Sequence, residues 1–366
     1  MEELLHPHGD VTRTYGRVVS VLVISAASLC ATIGTHAAEK KEDPRKVVIE
    51  RSRVWSPTDI ASKDLKTGPT GPGAFQFRDT VTCKYLDKKL SGNSPKFACM
   101  IGEDDEVKVK FGGNNGEVYG EVLATRLLWA LGFSADRMYP VNVICKGCPQ
   151  EFLGIERPNG ESRFDPAVIE RKMDGHEWGD KGWSWKELDQ IDGERAAPRA
   201  HRDALKLLAV FMQHSDSKPQ QQRIVCESKA KWPDPSTCDD PVLMISDVGL
   251  TFGRATRSNA NEPSGVNLKA WTETPVWKAD EKCVGNLPKS FTGTLSEPAI
   301  SEAGRRFLAD LLMQLSDRQL TDLFEVGRVR LRLRSPGVVD SGFATVADWV
   351  DAFKAKRQQI VERTCA

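Results

Sequence analysis

Hydrophobic and polar positions follow two different rhythms along the chain. Three short runs with period-two character, 81–86, 96–101 and 107–111, are separated by the turn-rich segments 91–95 and 102–105. Alternation bounded by Gly, Asn, Ser and Pro predicts short strands in an antiparallel meander. Residues 117–131 then carry Val118, Val122, Leu127, Leu128 and Leu131 near helical spacing, with Gly132 placed to stop a helix. A further strand is predicted over 139–144, closing at a turn over 145–149. Beyond that point the rhythm is helical. Ala204, Leu205, Leu208, Phe211 and Met212 make one face of a helix over 199–212, and Leu308, Leu311, Leu312 and Leu315 repeat at i, i+3, i+4 and i+7. Ser316 with Gln319 forms a capping box, and Thr345 with Asp348 heads a last helix bearing Trp349, Phe353 and Ile360. The class is therefore α+β, with a small β-rich part over 74–149 and a larger helical part over 150–366.

The first residues read differently. Arg13 and Arg17 precede an apolar run over 18–34 that ends in Thr35, His36, Ala37 and Ala38, the layout of a secretory signal peptide over 1–38 cleaved after Ala37 or Ala38. A membrane anchor is the alternative, but the run is rich in Ser and Ala and barely long enough to span. Cys30 follows Leu29 where a lipoprotein signal wants a small residue. Residues 39–73 are charged and then rich in Gly and Pro, which predicts a flexible leader with few core contacts. Cleavage leaves eight of the nine cysteines, an even number in a chain bound for a periplasmic or extracellular, oxidising compartment, without stable membrane insertion. Nearest-neighbour pairing joins Cys83 to Cys99, Cys145 to Cys148, Cys226 to Cys238 and Cys283 to Cys365, although spacing alone does not fix connectivity. A zinc site at Cys145 and Cys148 lacks a second CxxC and a histidine at ligand spacing, and a redox pair there lacks a strand-to-helix context.

Charge removes one class of function. Lys plus Arg and Asp plus Glu both number 51 in 366 residues, and they are interspersed, so no basic surface for nucleic acid is indicated. The length allows one large core or two lobes around a cleft.

Candidate chemistry lies after the predicted helix over 199–212, in the run His214, Ser215, Asp216, Ser217, Lys218, Pro219, Gln220, Gln221, and again in Asp247, Val248, Gly249 behind an apolar run over 242–245. Alone, the first run describes a cap and turn. It is preceded, however, by Val107, Lys108, Val109, Lys110 on a strand and by Glu117 and Glu121 on a helix. In this order the motifs resemble HRDxKPxN, DFG and VAIK, and the chain resembles the protein-kinase-like superfamily over residues 83–331. The likeness is to atypical branches: HipA-type bacterial kinases, phosphoinositide-type kinases and secretory-pathway kinases. Residues 226–240 form an insertion, and no APE segment follows.

The resemblance implies a two-lobed protein-kinase-like fold, with a small antiparallel β-rich N-lobe carrying one helix and a larger helical C-lobe. It also implies ATP with Mg or Mn. Lys110 takes the position of the phosphate-gripping lysine, with Lys108 in reserve, and Glu121 that of the carboxylate orienting it. Gly92, Ser94 and Lys96 stand on the hairpin where the glycine-rich loop belongs. Asp216 would orient the acceptor hydroxyl, Lys218 would neutralise the moving phosphoryl group, and Asp247 with Gln221 would hold the metal. Gln221 replaces the usual Asn with a longer arm, and Gln222 is a nearby substitute. The acceptor, whether small molecule, protein or glycan, is not specified. Two alternatives stand beside this: a catalytically inactive kinase fold, and a disulfide-stapled extracellular binding protein presenting Trp178, Trp183 and Trp185. The enzyme requires Lys110, Glu121, Asp216 and Asp247 to converge in one cleft, with Lys110 and Glu121 at ion-pair distance and Asp247 facing them; the binding protein does not.

Overall fold

The computed structural model describes residues 43–149, 160–191, 196–227, 238–258, 261–262, 265–332 and 344–365. The expected signal peptide and the start of the expected leader lie outside them.

Helix α1 (Pro44–Arg51) comes first, capped by Asp43, whose side chain accepts from the Arg45 N–H. The predicted meander follows as β1 (Thr80–Leu86), β2 (Lys96–Ile101) and β3 (Asp105–Phe111), antiparallel with Tyr85 opposite Cys99 and Val109 opposite Phe97. It does not end there. After α2 (Glu117–Leu131) and the two-residue β4 (Ser134–Ala135), the long strands β5 (Arg137–Lys146) and β6 (Glu161–Arg171) close it into a barrel of order β1-β2-β3-β6-β5. In this barrel β1 and β5 run parallel. Two expectations are thereby corrected: the sheet is not purely antiparallel, and a boundary at residue 149 would cut through it. Closure gives every strand a neighbour, so inward alternation fills the interior with Val81, Cys83, Phe97, Cys99, Val107, Val109, Tyr139, Val141, Val143, Phe164 and Ile169. Lys108 and Lys110 alternate with Val107 and Val109 and so lie on the other face of β3.

The second sheet has the order β4-β9-β8-β7, from β7 (His176–Glu177), β8 (Gln222–Cys226) and β9 (Pro241–Ile245). The remaining elements are α3 (Trp185–Asp189), α4 (Arg199–Met212), the small ribbon β10 (Arg254–Ala255) and β11 (Asn261–Glu262), and helices α5 (Leu268–Glu273), α6 (Glu302–Met313), α7 (Asp317–Val326), α8 (Val329–Arg332) and α9 (Val346–Glu362). Both predicted capping boxes are present, at the heads of α7 and α9. The apolar face of α4 packs on α6, and Phe211, Phe252, Trp271, Phe324, Trp349 and Phe353 form one aromatic cluster beneath α5, α7 and α9.

The leader is not loose where it is described. Val48, Ile49, Val54, Ile60 and Leu65 are buried in the main core, the Trp55 indole N–H donates to the Leu131 carbonyl at 2.7 Å, and Gln319 donates to the carbonyls of Ile60 and Lys63. Few large apolar residues stand in this segment, but these five face inward, which overrides its polar composition. The tryptophan recognition surface is likewise corrected: Trp183 and Trp185 are fully buried and Trp178 packs against the same core. The four nearest-neighbour cysteine pairs are the ones joined. Among the described residues no helix is long and apolar enough to cross a membrane.

Candidate functional site

Helix α2 positions the first half of the site. It is buried on nearly every side, Glu121 included, because barrel strands, α7 and the turn after β9 all pack against it. A helix in such a place needs apolar residues all round, and a buried carboxylate there needs a partner. Lys110, 2 % exposed, is that partner. Its ammonium donates to Glu121 and, at 2.8 Å, to Glu117 one turn earlier.

Asp247 completes the group. A ligand oxygen from each of Glu117, Glu121 and Asp247 lies within 4.8 Å of the others. The approach is made by glycines, since a Cβ on Gly120 would collide with the Gly249 carbonyl and one on Gly249 would run into the Glu117 side chain. The Thr251 hydroxyl joins the two elements by donating to Gly120 and Val248 carbonyls. Gly120 and Thr251 escaped the sequence reading because nothing in a helical pattern marks which face meets a backbone carbonyl.

The electrostatics follow from this packing. Burial alone would pull Lys110 down, yet the charges of Glu121, Asp247 and Glu117 hold its ammonium well above the ordinary lysine range. Glu121 is pushed up by burial, against the pull of Lys110 and with the repulsion of Asp247 and Glu117. Asp247 resists the effect of its own burial because Lys110 and the Gly249 N–H favour its charged form, leaving it below the usual carboxylate range.

The other expected residues divide. Lys96 stands opposite Lys110 across the β2–β3 ladder; burial, then the Lys110 charge, lowers its affinity for its proton. Its ammonium reaches the Ser94 hydroxyl at 3.2 Å. Gly92 has φ +85°, and a Cβ there would lie 2.7 Å from the Lys96 Nζ, so this turn wraps the lysine. Lys108 is not a second Lys110: it is ion-paired with Glu170 of β6, its register partner.

After α4 the chain leaves the helix through Gln213 at φ +59°, and the loop that follows carries Asp216. The Lys218 ammonium donates to both Asp216 oxygens at 2.8 and 2.7 Å, and the Gln221 amide N–H donates to one of them at 2.9 Å. Gln222, by contrast, is fully buried at the start of β8. His214 is completely buried, its nitrogens have no hydrogen-bond partner among the described residues, and burial depresses its pKa. The loop is braced from a segment the sequence reading overlooked: the Thr294 N–H donates to the Ser217 carbonyl at 3.1 Å, and the Leu295 N–H to the Ser217 hydroxyl at 3.2 Å.

Asp136, between β4 and β5, is a buried carboxyl outside this group. Burial, reinforced by Glu170, raises its pKa to about 7. The folded protein then holds a proton that the unfolded chain releases near pH 4, so this group's contribution to stability falls as pH rises from about 4 to 7. Asp136→Asn removes the titration, while its amide oxygen can still accept from the Met173 N–H as Asp136 does at 2.8 Å. The expected outcome is a variant that gains on the parent across that window, by at most about 4 kcal/mol. Urea unfolding at pH 4.5 and 7.5 checks it; a pH-independent difference contradicts it.

Among solved structures the chain is similar to a bacterial kinase. That structure is the Helicobacter pylori proinflammatory kinase CtkA, at a TM-score of 0.41 and 9% sequence identity, covering 79% of this chain and 95% of that one. No family model and no curated protein matches the chain. Likeness of this order carries no functional weight, which rests instead on the residues of the cluster.

Proposed function

We propose that this chain is an exported kinase-like phosphotransferase of two lobes that uses ATP and a divalent metal. The observation that carries the reading is the buried Lys110, held between Glu117 and Glu121 with Asp247 against them. A buried lysine with several carboxylates, in a site where backbone glycines allow close approach, is suited to gripping phosphate oxygens rather than to stabilising a core.

The donor set suits a hard cation. Three carboxylates around one ammonium leave negative charge to balance, and magnesium or manganese take oxygen ligands. Asp247 and Glu117 would hold the ion, with the Gln221 carbonyl as a further oxygen ligand. When bound, the ion neutralises charge on the nucleotide phosphates. Lys110 would bind those phosphates while Glu121 fixes its position, and Lys96 adds charge from the hairpin. Asp216 would accept the proton of the acceptor hydroxyl, oriented by Lys218 and Gln221. Export is compatible with the four disulfides and with the lack, among the described residues, of a membrane-spanning helix.

Incubation with γ-labelled ATP and magnesium or manganese tests the reading. Metal-dependent release of label to water or to the protein itself, abolished by a chelator, is the expected result. ATP that binds without any release would make the chain a non-catalytic kinase-like module, the reading that the Gln221 position and the single glycine of the hairpin favour.

A further inference from the structure

One turn beyond Glu121 on α2, Arg126 and Trp129 line a cavity of about 350 Å³, with Lys63, Pro69 and Phe133 on its other walls. Lys110, Asp216 and Asp247 are not among its lining residues. The volume lies within the range of small-molecule pockets.

Arg126 is the unusual member. It is 2 % exposed, and its Nε and Nη1 make no hydrogen bond among the described residues. Its guanidinium lies 5.5 Å from the centre of the Tyr139 ring and fills the space where Gly68, at φ +76°, would carry a Cβ. Burial draws its pKa down to about 10. A guanidinium buried without an acceptor is costly, by several kcal/mol, and the native acids nearby are already engaged. Asp174 pairs with Arg137 at 3.0 Å, and Glu227 pairs with Arg53. Asp136 accepts from the Met173 N–H. Asp64, whose charge reaches Arg126, accepts from the Lys66 and Thr67 N–H groups and the Thr67 hydroxyl. Lys63 has its ammonium 4.5 Å over the Trp129 ring and no carboxylate partner among the described residues. Lys63, Arg126 and the Trp129 ring therefore converge on the concavity beside the Arg137 guanidinium and the Asp136, Asp174 and Glu227 carboxyls, none of which pairs with Lys63 or Arg126 among the described residues.

We infer that this cavity is a binding site for a small anion bearing a phosphate or carboxylate, held by Arg126 and Lys63 with its body against Trp129. The site is separate from the nucleotide cleft and stands whether or not the cleft transfers phosphate.

Calorimetric titration of the whole protein with inorganic phosphate, and separately with benzoate, tests it and distinguishes the two head groups. Saturable binding of at least one is expected, weakened about tenfold or more by Arg126→Gln and by Lys63→Gln, as loss of a charge-assisted contact requires. Lys110→Met, which alters the cleft, leaves this binding unchanged. Lys63 is only partly buried, so its variant keeps the test valid if Arg126→Gln does not fold. No saturable binding of either probe overturns the inference, as does binding that survives Lys63→Gln or disappears with Lys110→Met.

Discussion

If the proposed function holds, Asp216→Asn is expected to lower phosphate transfer from ATP by about 10²–10⁴-fold, the usual worth of a positioned proton acceptor, and to leave metal-dependent nucleotide affinity within about twofold of the parent. The separation of the two effects follows from the geometry. Asp216 is tied to Lys218 and Gln221 on its own loop, whereas the cluster of Lys110, Glu117, Glu121 and Asp247 is assembled from β3, α2 and the turn after β9. Asn retains an oxygen for Lys218, so the loop keeps one of its ties and loses mainly the basicity. Initial rates of label release, measured beside ATP affinity by calorimetry, check this. A parallel loss of affinity and rate would mean that Asp216 shapes the cleft and does not take a proton.

The second large effect concerns stability. Replacing both Cys283 and Cys365 by Ser destabilises the fold by up to about 4.5 kcal/mol on the chain-entropy model, because this bond spans 82 positions of sequence. The Cys145–Cys148 bond spans 3, so its removal costs much less in that model. Cys365 follows α9, and its N–H donates to Glu302 at the start of α6 at 2.9 Å, so the long loop closes onto the helix that packs against α4. Equilibrium urea unfolding of the two double-serine variants gives the comparison. Equal losses would show that local packing around each pair, and not loop closure, determines the effect.

How legible this molecule was in its sequence varies with the physics of each element. Helices α2 and α4 stand where the apolar spacing put them, and Gly132 ends α2 at φ +86°. Strand β6 was missed because Asp165 and Pro166 interrupt it and read as a break. The leader was misread because composition weighs every residue equally, while burial depends on the few that face inward; Ile60 and Leu65 are 1 % and 0 % exposed. Lys110 illustrates the same limit at the site. Alternating Val and Lys also describes a strand with its lysines in water, and only the packing of α2 across that face buries one of them. The motif order brought Lys110, Glu121 and Asp247 under suspicion together; the role of Glu117 as a second partner of Lys110 came from the structure, since an acidic residue in a first helical turn already has a bland explanation in the helix dipole.

Thermal-shift titration of residues 39–366, with ATP or GTP and magnesium or manganese, beside an Asp247→Asn variant, tests the central claim most directly. The account predicts saturable stabilisation that requires both nucleotide and metal and is lost in the variant, consistent with mass-action linkage to the folded state. Absence of any shift in the parent, or an equal shift in Asp247→Asn, would contradict it.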